Sequence, residues 1–278
     1  MTQKIAFQGE LGANGDEACR AHFPALEPLP CATFDDAFDA VRSGEAELGM
    51  IPVENSIAGR VADVHHLLPS SGLKIIGERF KPIRFQLMAN PGVTLATVTT
   101  AVSMPIALAQ CRKSLKRLGL KLAGSGDTAG AAKELAAHPD PTRAAVSPRL
   151  AAQIYGLDIL AEDIEDEHNN TTRFLVMARE AVTPAAGSVC LTSFVFRVRN
   201  IPAALYKALG GFATHGVNMV KLESYMENGV FSQTMFYSEV LGAAGDPALE
   251  QAFEELGFYS DHFAVLGSYS ADPFRNSN

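Results

Sequence analysis

The chain is poor in cysteine, in cationic residues and in long apolar runs, and each shortage excludes a class of protein. No apolar run approaches the roughly 20 residues that cross a bilayer, and the N-terminal residues lack the pattern of a signal peptide. Reduced thiols in a cytoplasmic protein are expected, and a zinc site is not, because no CxxC or CxxH spacing joins the four cysteines, Cys19, Cys31, Cys111 and Cys190.

Positive charge is scarce as well. The 23 lysines and arginines against 31 aspartates and glutamates give a formal net charge of −8, which argues against nucleic acid as a partner. An anionic small ligand is compatible with this balance only if local arginines and backbone N–H groups hold it. The 47% hydrophobic and 19% charged content is that of a soluble globular protein, and 278 residues suffice for one large domain or two modest ones.

The dinucleotide-binding fingerprint G-x-G-x-x-G is also missing. A short strand at residues 4–7 is followed by Gly9, Gly12 and Gly15, whose spacing does not match that fingerprint. This glycine loop leads into a helix near residues 16–21, and the unpaired N–H groups at a helix start can receive an anion. A tight turn without a ligand is the alternative.

Through residue 161 strands alternate with helices, which predicts an α/β layer with a mainly parallel sheet. Residues 73–89 are predicted as two extended segments broken around Pro82. The other predicted strands are residues 28–33, 48–51, 98–102, 121–123, 143–146 and 157–161. The predicted helices are residues 34–43, 61–68, 105–118, 131–137 and 149–155.

Polar residues follow several of these strands. Glu54 and Asn55 come after one strand, and Ser103 and Thr128 after two others, where they can orient a ligand or simply cap the next helix. The most distinctive group is residues 169–174, which follow a run of acids and open an apolar strand. An arginine there can grip a carboxylate through two parallel hydrogen bonds. A Thr-Arg pair that merely caps the acidic run is the alternative.

Beyond residue 180 the pattern changes. Residues 180–188 are small and turn-rich, which indicates a linker. The order that follows is βαββαβ, the ferredoxin-like layout, with strands at 191–198, 217–225, 230–240 and 262–269 and helices at 202–214 and 247–256. A short turn at Asn228-Gly229 joins the two middle strands. Two helices cover only one face of such a sheet, so we expect its open face or an edge to pair with a copy of itself.

In this order the motifs resemble those of the prephenate dehydratase family, which converts prephenate into phenylpyruvate in phenylalanine biosynthesis. The likeness runs over nearly the whole chain. It rests on the glycine loop, Pro52–Ser56 with Gly59, Asp127–Ala131 and above all Thr172-Arg173-Phe174. The second part resembles an ACT regulatory domain, with Ala204-Leu205 at the Gly-Ala-Leu motif and Leu222-Glu223-Ser224 at the Glu-Ser-Arg-Pro motif.

Three departures from the family pattern matter. Many relatives carry a serine or threonine after Gly12, and here Asn14 is expected to supply that polar contact. Met104 stands where the family usually has a histidine after Ser103, so one polar contact is missing. The ACT motifs lack the full Gly-Ala-Leu and the Arg-Pro, which puts the identity and strength of the effector in question.

The resemblance implies a two-lobed α/β catalytic domain, like a periplasmic binding protein, at residues 1–180, with the active site in the cleft between its lobes. A linker at 181–188, a ferredoxin-like ACT domain at 189–270 and a tail at 271–278 follow. It implies a carbon–oxygen lyase that needs no metal or organic cofactor. It also implies L-phenylalanine as allosteric effector at ACT–ACT interfaces, in a dimer or tetramer.

The resemblance also assigns roles to residues. Thr172 donates to the leaving hydroxyl and Arg173 holds a carboxylate of prephenate, while Phe174 anchors both as the first core residue. The polar cradle is completed by Asn14, Asn55, Ser103 and Thr128, and Glu54 orients its neighbours. In the ACT part the expected effector contacts are Leu205, Asn218, Glu223 and Ser224, and ordinary strand-end polar residues are the alternative.

Two other functions remain open at this point. Arogenate dehydratase carries out the same chemistry on a substrate with an amino group in place of the keto oxygen. A non-catalytic amino-acid or keto-acid sensor that has lost activity is the other, and Met104 and the altered glycine loop are its only support.

Overall fold

Residues 3–185, 187–226 and 234–276 are described by the computed structural model of the chain, and they fall into two units. The first contains Met1–Val61 and Phe80–Phe174, and the second contains Ala62–Arg79 and Leu175–Asn278. Residues 62–79 therefore group with the C-terminal part of the chain and not with their sequence neighbours. No helix in the described ranges is long and apolar enough to span a membrane.

The elements up to residue 178 alternate as the sequence predicts. In chain order they are β1 (Lys4–Gln8), α1 (Asn14–His22), β2 (Glu27–Cys31), α2 (Phe34–Ser43), β3 (Leu48–Asn55), β4 (Gly59–Arg60), α3 (Ala62–Leu67), β5 (Lys74–Pro82), β6 (Gln86–Ala89), β7 (Thr100–Ser103), α4 (Pro105–Gln110), α5 (Arg112–Arg117), β8 (Lys121–Gly124), α6 (Thr128–Ala137), β9 (Arg143–Ser147), α7 (Arg149–Tyr155), β10 (Asp158–Ala161) and β11 (Thr171–Ala178). A 3₁₀ turn, Leu68–Ser70, extends α3.

Local chemistry explains where these helices begin and end. Helix α2 matches its predicted bounds because Thr33 and Asp36 form a reciprocal capping box at its start and Gly44, at φ 83°, closes its end. The single helix predicted at 105–118 is instead broken at Cys111. The Gln110 carbonyl accepts the backbone N–H of Asp166 (2.7 Å), whose carboxylate accepts the N–H of Lys113 (2.8 Å), so α5 starts anew.

The α/β prediction is confirmed, but the sheets are less uniformly parallel than expected. The first lobe carries a sheet in the order β2-β1-β3-β11-β5, in which β1 runs parallel to β2 and β3. The second lobe carries the order β10-β6-β9-β7-β8, in which β6 runs antiparallel to both β9 and β10. The chain enters and leaves this lobe through β6 and β10, which gives the mixed sheet its antiparallel side.

One apolar core joins the two lobes of the first unit. It combines Ile5 and Phe7 of β1 with Val102, Ala132 and Ala151 of the second lobe, all buried. Small side chains dominate the contact, so the backbones of the two lobes approach closely. A second core lies wholly within the second lobe, around Leu87, Leu108 and Val146. The lobes are therefore packed against each other along one side.

The second unit confirms the predicted βαββαβ order. Its elements are β12 (Cys190–Val198), α8 (Ala204–Thr214), β13 (Met219–Met226), β14 (Thr234–Leu241), α9 (Pro247–Tyr259) and β15 (Ser260–Ser270). The antiparallel sheet runs β13-β14-β12-β15, and both helices cover one face through Phe194, Phe196, Phe212 and Phe253. The predicted turn at Asn228-Gly229 lies outside the described residues.

The other face of this sheet is covered by residues 62–79 of the same chain. The ring of His65 meets Tyr237 edge-on with centroids 5.2 Å apart. A Cβ atom added to Gly267 would lie 2.0 Å from the carbonyl oxygen of Ile75, so only glycine fits there. We expected either the open face of this sheet or one of its edges to pair with a copy of the chain. The first of these expectations is wrong, because residues 62–79 fill the face, and the edges of the sheet remain.

A single guanidinium serves two buried carboxylates on this face. Arg275 contacts both oxygens of Glu78 at 2.6 and 2.9 Å, and its Nη2 lies 3.6 Å from Glu239. The phenol of Tyr237 donates to Glu239 as well (2.5 Å). Since Glu78 and Glu239 are fully buried, their charges need compensation, and Arg275 contributes to it for both.

We expect Arg275→Ala to lower the free energy of unfolding by about 2 kcal/mol, because removing one partner of a buried pair leaves uncompensated charge. Urea denaturation followed by circular dichroism measures this. Arg42→Ala, which removes only an exposed pair with Asp39, is the matched control and should change it by less than about 0.5 kcal/mol. Equal effects of the two substitutions would contradict the role given to Arg275.

Candidate active site

The end of β3 and the start of β11 meet edge to edge. The N–H of Ser56 donates to the carbonyl of Thr171 (2.9 Å), and the N–H of Thr171 donates to Ser56 Oγ (3.0 Å). This junction brings the polar strand end Glu54-Asn55 beside Thr172-Arg173, two groups that lie more than 115 residues apart in sequence.

Thr172 is held by an amide. Asn55 Nδ2 donates to Thr172 Oγ1 at 2.9 Å, in a part-buried setting. Within the described residues this is the one hydrogen-bond partner of the Thr172 side chain, and its hydroxyl proton has no acceptor among them. Phe174 lies on the same face of β11 and is buried in the core shared by the lobes. The structure thus brings Thr172, Asn55 and Phe174 together.

Arg173 lies on the opposite face, because consecutive residues of a strand point to opposite sides. Its side chain is 2% exposed, and its Nη1 donates to Glu54 Oε1 at 3.0 Å. Glu54 and Asn55 alternate on β3 in the same way, so each faces its own partner on β11. The geometry favours an ion pair that ties the two strands, more than the predicted grip on a substrate carboxylate.

Two amides that sequence reasoning missed complete this region. Asn170 is buried and accepts from Asn55 Nδ2 at 2.8 Å. Gln110, at the end of α4, contacts both Asn55 and Asn170. The position of Asn170 next to the Thr-Thr-Arg group was a usable signal, whereas nothing in the sequence around Gln110 indicates its proximity.

Two backbone N–H groups of the glycine loop already have hydrogen-bond acceptors within the protein. The N–H of Gly12, at φ 89°, donates to the buried carboxylate of Asp16 (2.8 Å), and the N–H of Ala13 donates to the Glu10 carbonyl (3.1 Å). These two groups are therefore not available to an anion. Asn14 Oδ1, by contrast, is buried with no hydrogen-bond partner among the described residues, as a polar contact to a ligand requires.

The same loop packs against α7 of the second lobe. A Cβ atom on Gly12 would lie 2.7 Å from the Cα of Ala151, and the Tyr155 hydroxyl donates to the Leu11 carbonyl at 2.8 Å. A side chain at residue 12 would push the lobes apart. The glycine is thus required by both its backbone angle and this close approach.

Thr128 and Ser103 end up in different environments. Thr128, in the first turn of α6, is almost buried, beside Asp127, which caps the helix by accepting from the N–H of Gly130 (2.6 Å). Burial, assisted by the charge of Glu10, raises the pKa of Asp127. Ser103 is fully buried and donates to the Val146 carbonyl at 2.6 Å, so its hydroxyl proton is already bonded within the sheet. Both hydroxyls were predicted to contact a ligand. The surroundings of Thr128 fit that prediction better than those of Ser103.

A third hydroxyl was missed. Ser147 ends β9, is fully buried, and its Oγ has no hydrogen-bond partner within the described ranges. Its place before Pro148, at a strand end that opens a helix, was the available signal. Met104, the departure from the family pattern, is an exposed apolar side chain at the end of β7.

The three buried cysteines do not mark a further reactive centre. Burial raises the pKa of Cys31 to about 11 and raises the pKa of Cys19 and of Cys111 further, so these three stay protonated at neutral pH. In the described part of the chain no three His, Cys, Asp or Glu side chains group as metal ligands.

Three of the four predicted effector residues, Asn218, Glu223 and Ser224, lie at or on the edge strand β13, and Leu205 lies on α8. Leu205 packs into the helix–sheet core, and Asn218 is exposed just before β13, the edge strand. On β13, Glu223 pairs with Lys221 (3.3 Å), and the exposed Ser224 faces the other way. Ala203 adopts φ 62°, a left-handed conformation that favours glycine, at the position where the ACT motif has its glycine.

The fold and the site define a two-lobed α/β enzyme with an attached ferredoxin-like unit. The family model described as prephenate dehydratase matches residues 5–182. The chain belongs to the prephenate dehydratase family and is a carbon–oxygen lyase, which sets aside the alternative of a non-catalytic sensor.

Full-length relatives agree with this assignment. The chain is 47% identical to a bifunctional N-acyl-homoserine lactone acylase/prephenate dehydratase from Komagataeibacter europaeus, over 98% of this chain and 97% of that protein. It is 37% identical to an arogenate dehydratase/prephenate dehydratase from Arabidopsis thaliana, over 97% of this chain and 73% of the relative. A prephenate dehydratase from Arthrobacter aurescens, solved with L-Phe, superposes with a TM-score of 0.87 at 31% identity, covering 96% and 89% of the two chains.

The lobe contact at Gly12 can be tested by substitution. Gly12→Ala should lower the melting temperature and the activity together, because the added methyl meets the backbone of Ala151. Gly156→Ala is the matched control, since Gly156 also has positive φ but open space around its Cβ position. Calorimetry on both proteins should show the larger loss, by roughly 1–3 kcal/mol, at Gly12. Equal losses would mean that backbone strain alone explains the glycine.

Proposed function

We propose that this protein is a prephenate dehydratase that forms phenylpyruvate in the cytoplasm, on the route to L-phenylalanine. The observation that carries the proposal is the hydrogen bond from Asn55 Nδ2 to Thr172 Oγ1. The hydroxyl oxygen accepts this bond, so its proton is free to point at a substrate. The reaction is proposed from membership of the family, and the Thr172 hydroxyl is proposed as its hydrogen-bond donor from this geometry.

The chemistry needs little beyond positioning. Prephenate is a dianion that carries a ring carboxylate and a ring hydroxyl on opposite carbons. The bond to the carboxylate breaks and CO₂ leaves, its electron pair completes the aromatic ring, and the C–O bond breaks to release hydroxide. Thr172 donates a hydrogen bond to that oxygen, which strengthens as negative charge develops on it, and a proton completes the water.

The remaining polar groups hold and shape the substrate. Thr128 and the unpartnered hydroxyl of Ser147 are proposed as donors to its carboxylates, and Asn14 as a donor through its Nδ2 group, because an amide oxygen cannot bond a carboxylate. Ser103 stays in the site as a spacer, because its proton is used by the sheet. Arg173 and Glu54 act together by fixing β3 against β11, which sets the position of Thr172.

Arogenate is the second candidate substrate, and one observation favours it. Glu10, Asp16 and Asp127 surround the glycine loop, and after burial their charges raise the pKa of Tyr155 to about 12. Glu10 and Asp16 are paired with Lys133 and Arg20, whereas Asp127 has no ion-pair partner within the described residues, so its carboxylate is proposed to accept from the ammonium group of arogenate. Curated relatives include proteins named for arogenate dehydratase activity.

N-acyl-homoserine lactone hydrolysis is a third candidate, supported by the bifunctional relative. An open groove of about 310 Å³ beside α4 and β8 is lined by Pro105, Leu108 and Leu122, which are suited to an acyl chain. The three buried cysteines are excluded as the nucleophile by their raised pKa values.

We further propose feedback regulation by L-phenylalanine through the ACT domain in a dimer or tetramer. The Arthrobacter relative was solved with L-Phe. The face of the sheet opposite α8 and α9 is filled by the chain itself, so the edge strands β13 and β15 are left for a second copy, and the predicted effector residues favour β13. Asn218, which follows the C-terminal end of α8, and Ser224 are exposed along that edge.

Thr172→Ala should lower kcat for prephenate by about 10²-fold with the fold intact, the typical loss of one transition-state donor. Thr171→Ala, one residue away on the other face of β11, is the matched control and should keep kcat within a few-fold. Separate incubations identify the substrate: prephenate gives phenylpyruvate, arogenate gives phenylalanine, and an N-acyl-homoserine lactone hydrolysed at its amide gives a fatty acid. Turnover of Thr172→Ala close to wild type would remove Thr172 from the chemistry.

L-Phenylalanine should inhibit turnover at micromolar to millimolar concentration, and Asn218→Ala should weaken this inhibition by about tenfold through loss of one polar contact. Initial rates at increasing L-phenylalanine measure both. Asn200→Ala, at an exposed loop position, is the control and should keep the wild-type response. A flat response of the wild type up to millimolar concentration would contradict feedback regulation.

A further inference from the structure

Strands β5 and β11 are neighbours in the first sheet, and two contacts show how they pair. The N–H of Ile83, just past the end of β5, donates to the carbonyl of Asn170 (2.8 Å). Further back on β5, a Cβ atom on Gly77 would lie 3.8 Å from the Cβ of Val176. The same number of residues separates Ile83 from Gly77 as separates Asn170 from Val176, in the opposite direction. The strands therefore run antiparallel and keep one register between these two contacts.

This register places Lys81 directly opposite Thr172. Side chains opposite each other on antiparallel strands point to the same face of the sheet, with their Cβ atoms about 5 Å apart. The Lys81 ammonium donates to the Pro82 carbonyl at 3.1 Å, so it lies level with the start of β11. The side chain is 12% exposed, and a charge with so little water around it acts strongly on its neighbours.

Glu17 of α1 holds this ammonium at the junction of the two lobes. Glu17 Oε2 lies 2.6 Å from Lys81 Nζ, and Glu17 Oε1 accepts the N–H of Leu150, in the first turn of α7, at 3.2 Å. Asn14 lies one turn before Glu17 on the same face of α1, and Ser147 lies shortly before Leu150. Both Asn14 and Ser147 have a buried polar atom without a hydrogen-bond partner among the described residues. The charge of Lys81 therefore lies among the groups proposed to hold the substrate.

One hydrogen of the Lys81 ammonium is left for a ligand. A lysine ammonium carries three hydrogens. Within the described residues its partners are the Glu17 carboxylate and the Pro82 carbonyl, so two of the three are used. Arg173, the cation that the sequence predicted for this place, is paired on the opposite face of β11. Lys81 is thus a cation on the face of the candidate donor that keeps a hydrogen to give.

The reaction moves negative charge from one end of the substrate ring to the other. Before the reaction the ring carboxylate is charged and the hydroxyl is neutral. The carboxylate then leaves as neutral CO₂, and the oxygen departs with the negative charge. A cation beside that oxygen interacts more strongly as the reaction proceeds, whereas a cation beside the ring carboxylate would stabilise the starting state and slow the reaction.

We propose that Lys81 is a further catalytic residue, which donates its third N–H to the leaving oxygen together with Thr172. This inference rests on the proposed function of Thr172. Lys81 keeps its proton throughout and balances the charge that develops on the oxygen, while Glu17 sets the position of the ammonium. Because this interaction grows toward the transition state, loss of the ammonium should lower kcat and leave KM nearly unchanged.

The experiment compares Lys81→Met with Glu17→Gln in kcat and KM for prephenate. Lys81→Met keeps an unbranched side chain without the charge, and its kcat should fall by about 10²-fold. Glu17→Gln removes the balancing negative charge but leaves the ammonium and an oxygen for the Leu150 N–H, so its kcat should fall by no more than a few-fold. An ion pair that merely ties the lobes predicts equal losses in the two variants. Lys74→Met, at an exposed position of the same strand, is the control and should keep both constants.

Equal losses of kcat in Lys81→Met and Glu17→Gln overturn the inference, as does a Lys81→Met enzyme with wild-type kcat or with a change in KM alone. Circular dichroism melts show whether the variants are folded. If Lys81→Met is not, Lys81→Gln, which is uncharged but can still donate to Glu17, takes its place in the comparison. If the wild type does not turn over prephenate, the proposed function fails separately, and the same ratios are then measured with arogenate, which loses the same hydroxyl.

Discussion

Consecutive residues of a β-strand face opposite ways, so the two residue pairs at the junction of β3 with β11 lie on opposite faces and have different roles. One face pairs Asn55 with Thr172, and the other pairs Glu54 with Arg173. The hydroxyl side remains part-buried and polar, while the ionic side is buried and binds the strands together. The candidate chemistry depends on this arrangement, because a slip of one residue would exchange the two faces.

Close packing of small residues holds the rest of the site in place. Gly12 against Ala151 and the alanine-rich core between the lobes leave little room for independent motion of the two sheets on that side. The contacts of Gln110 with Asn55 and Asn170 cross between the lobes as well. A two-lobed architecture is often associated with a hinge, but here polar geometry at the strand ends is set by contacts that span both lobes.

Sequence patterns predicted most of the fold because local signals agree with the final structure. The bounds of α2 and α7, the βαββαβ order and the polar strand ends all follow from caps, periodicity and turns. The break at Cys111, the mixed second sheet and the placement of residues 62–79 depend on contacts between distant segments. Thr172 and Asn55 were found from their motifs, and the place of Ser147 before Pro148 was a usable signal, whereas Gln110 required the fold. Adjacent positions on one strand already imply that Thr172 and Arg173 face opposite ways.

The grouping of residues 62–79 with the C-terminal unit has a consequence for how the protein can be divided. A cut in the linker around residues 180–188 would follow the apparent domain boundary, yet it would separate His65 and Glu78 from Tyr237 and Arg275. Residues 62–79 of the N-terminal fragment would lose the sheet that they cover, and that sheet would be exposed in the C-terminal fragment. The two units of this chain share residues 62–79 across the sequence boundary, so neither half can be exchanged between relatives without taking a piece of the other.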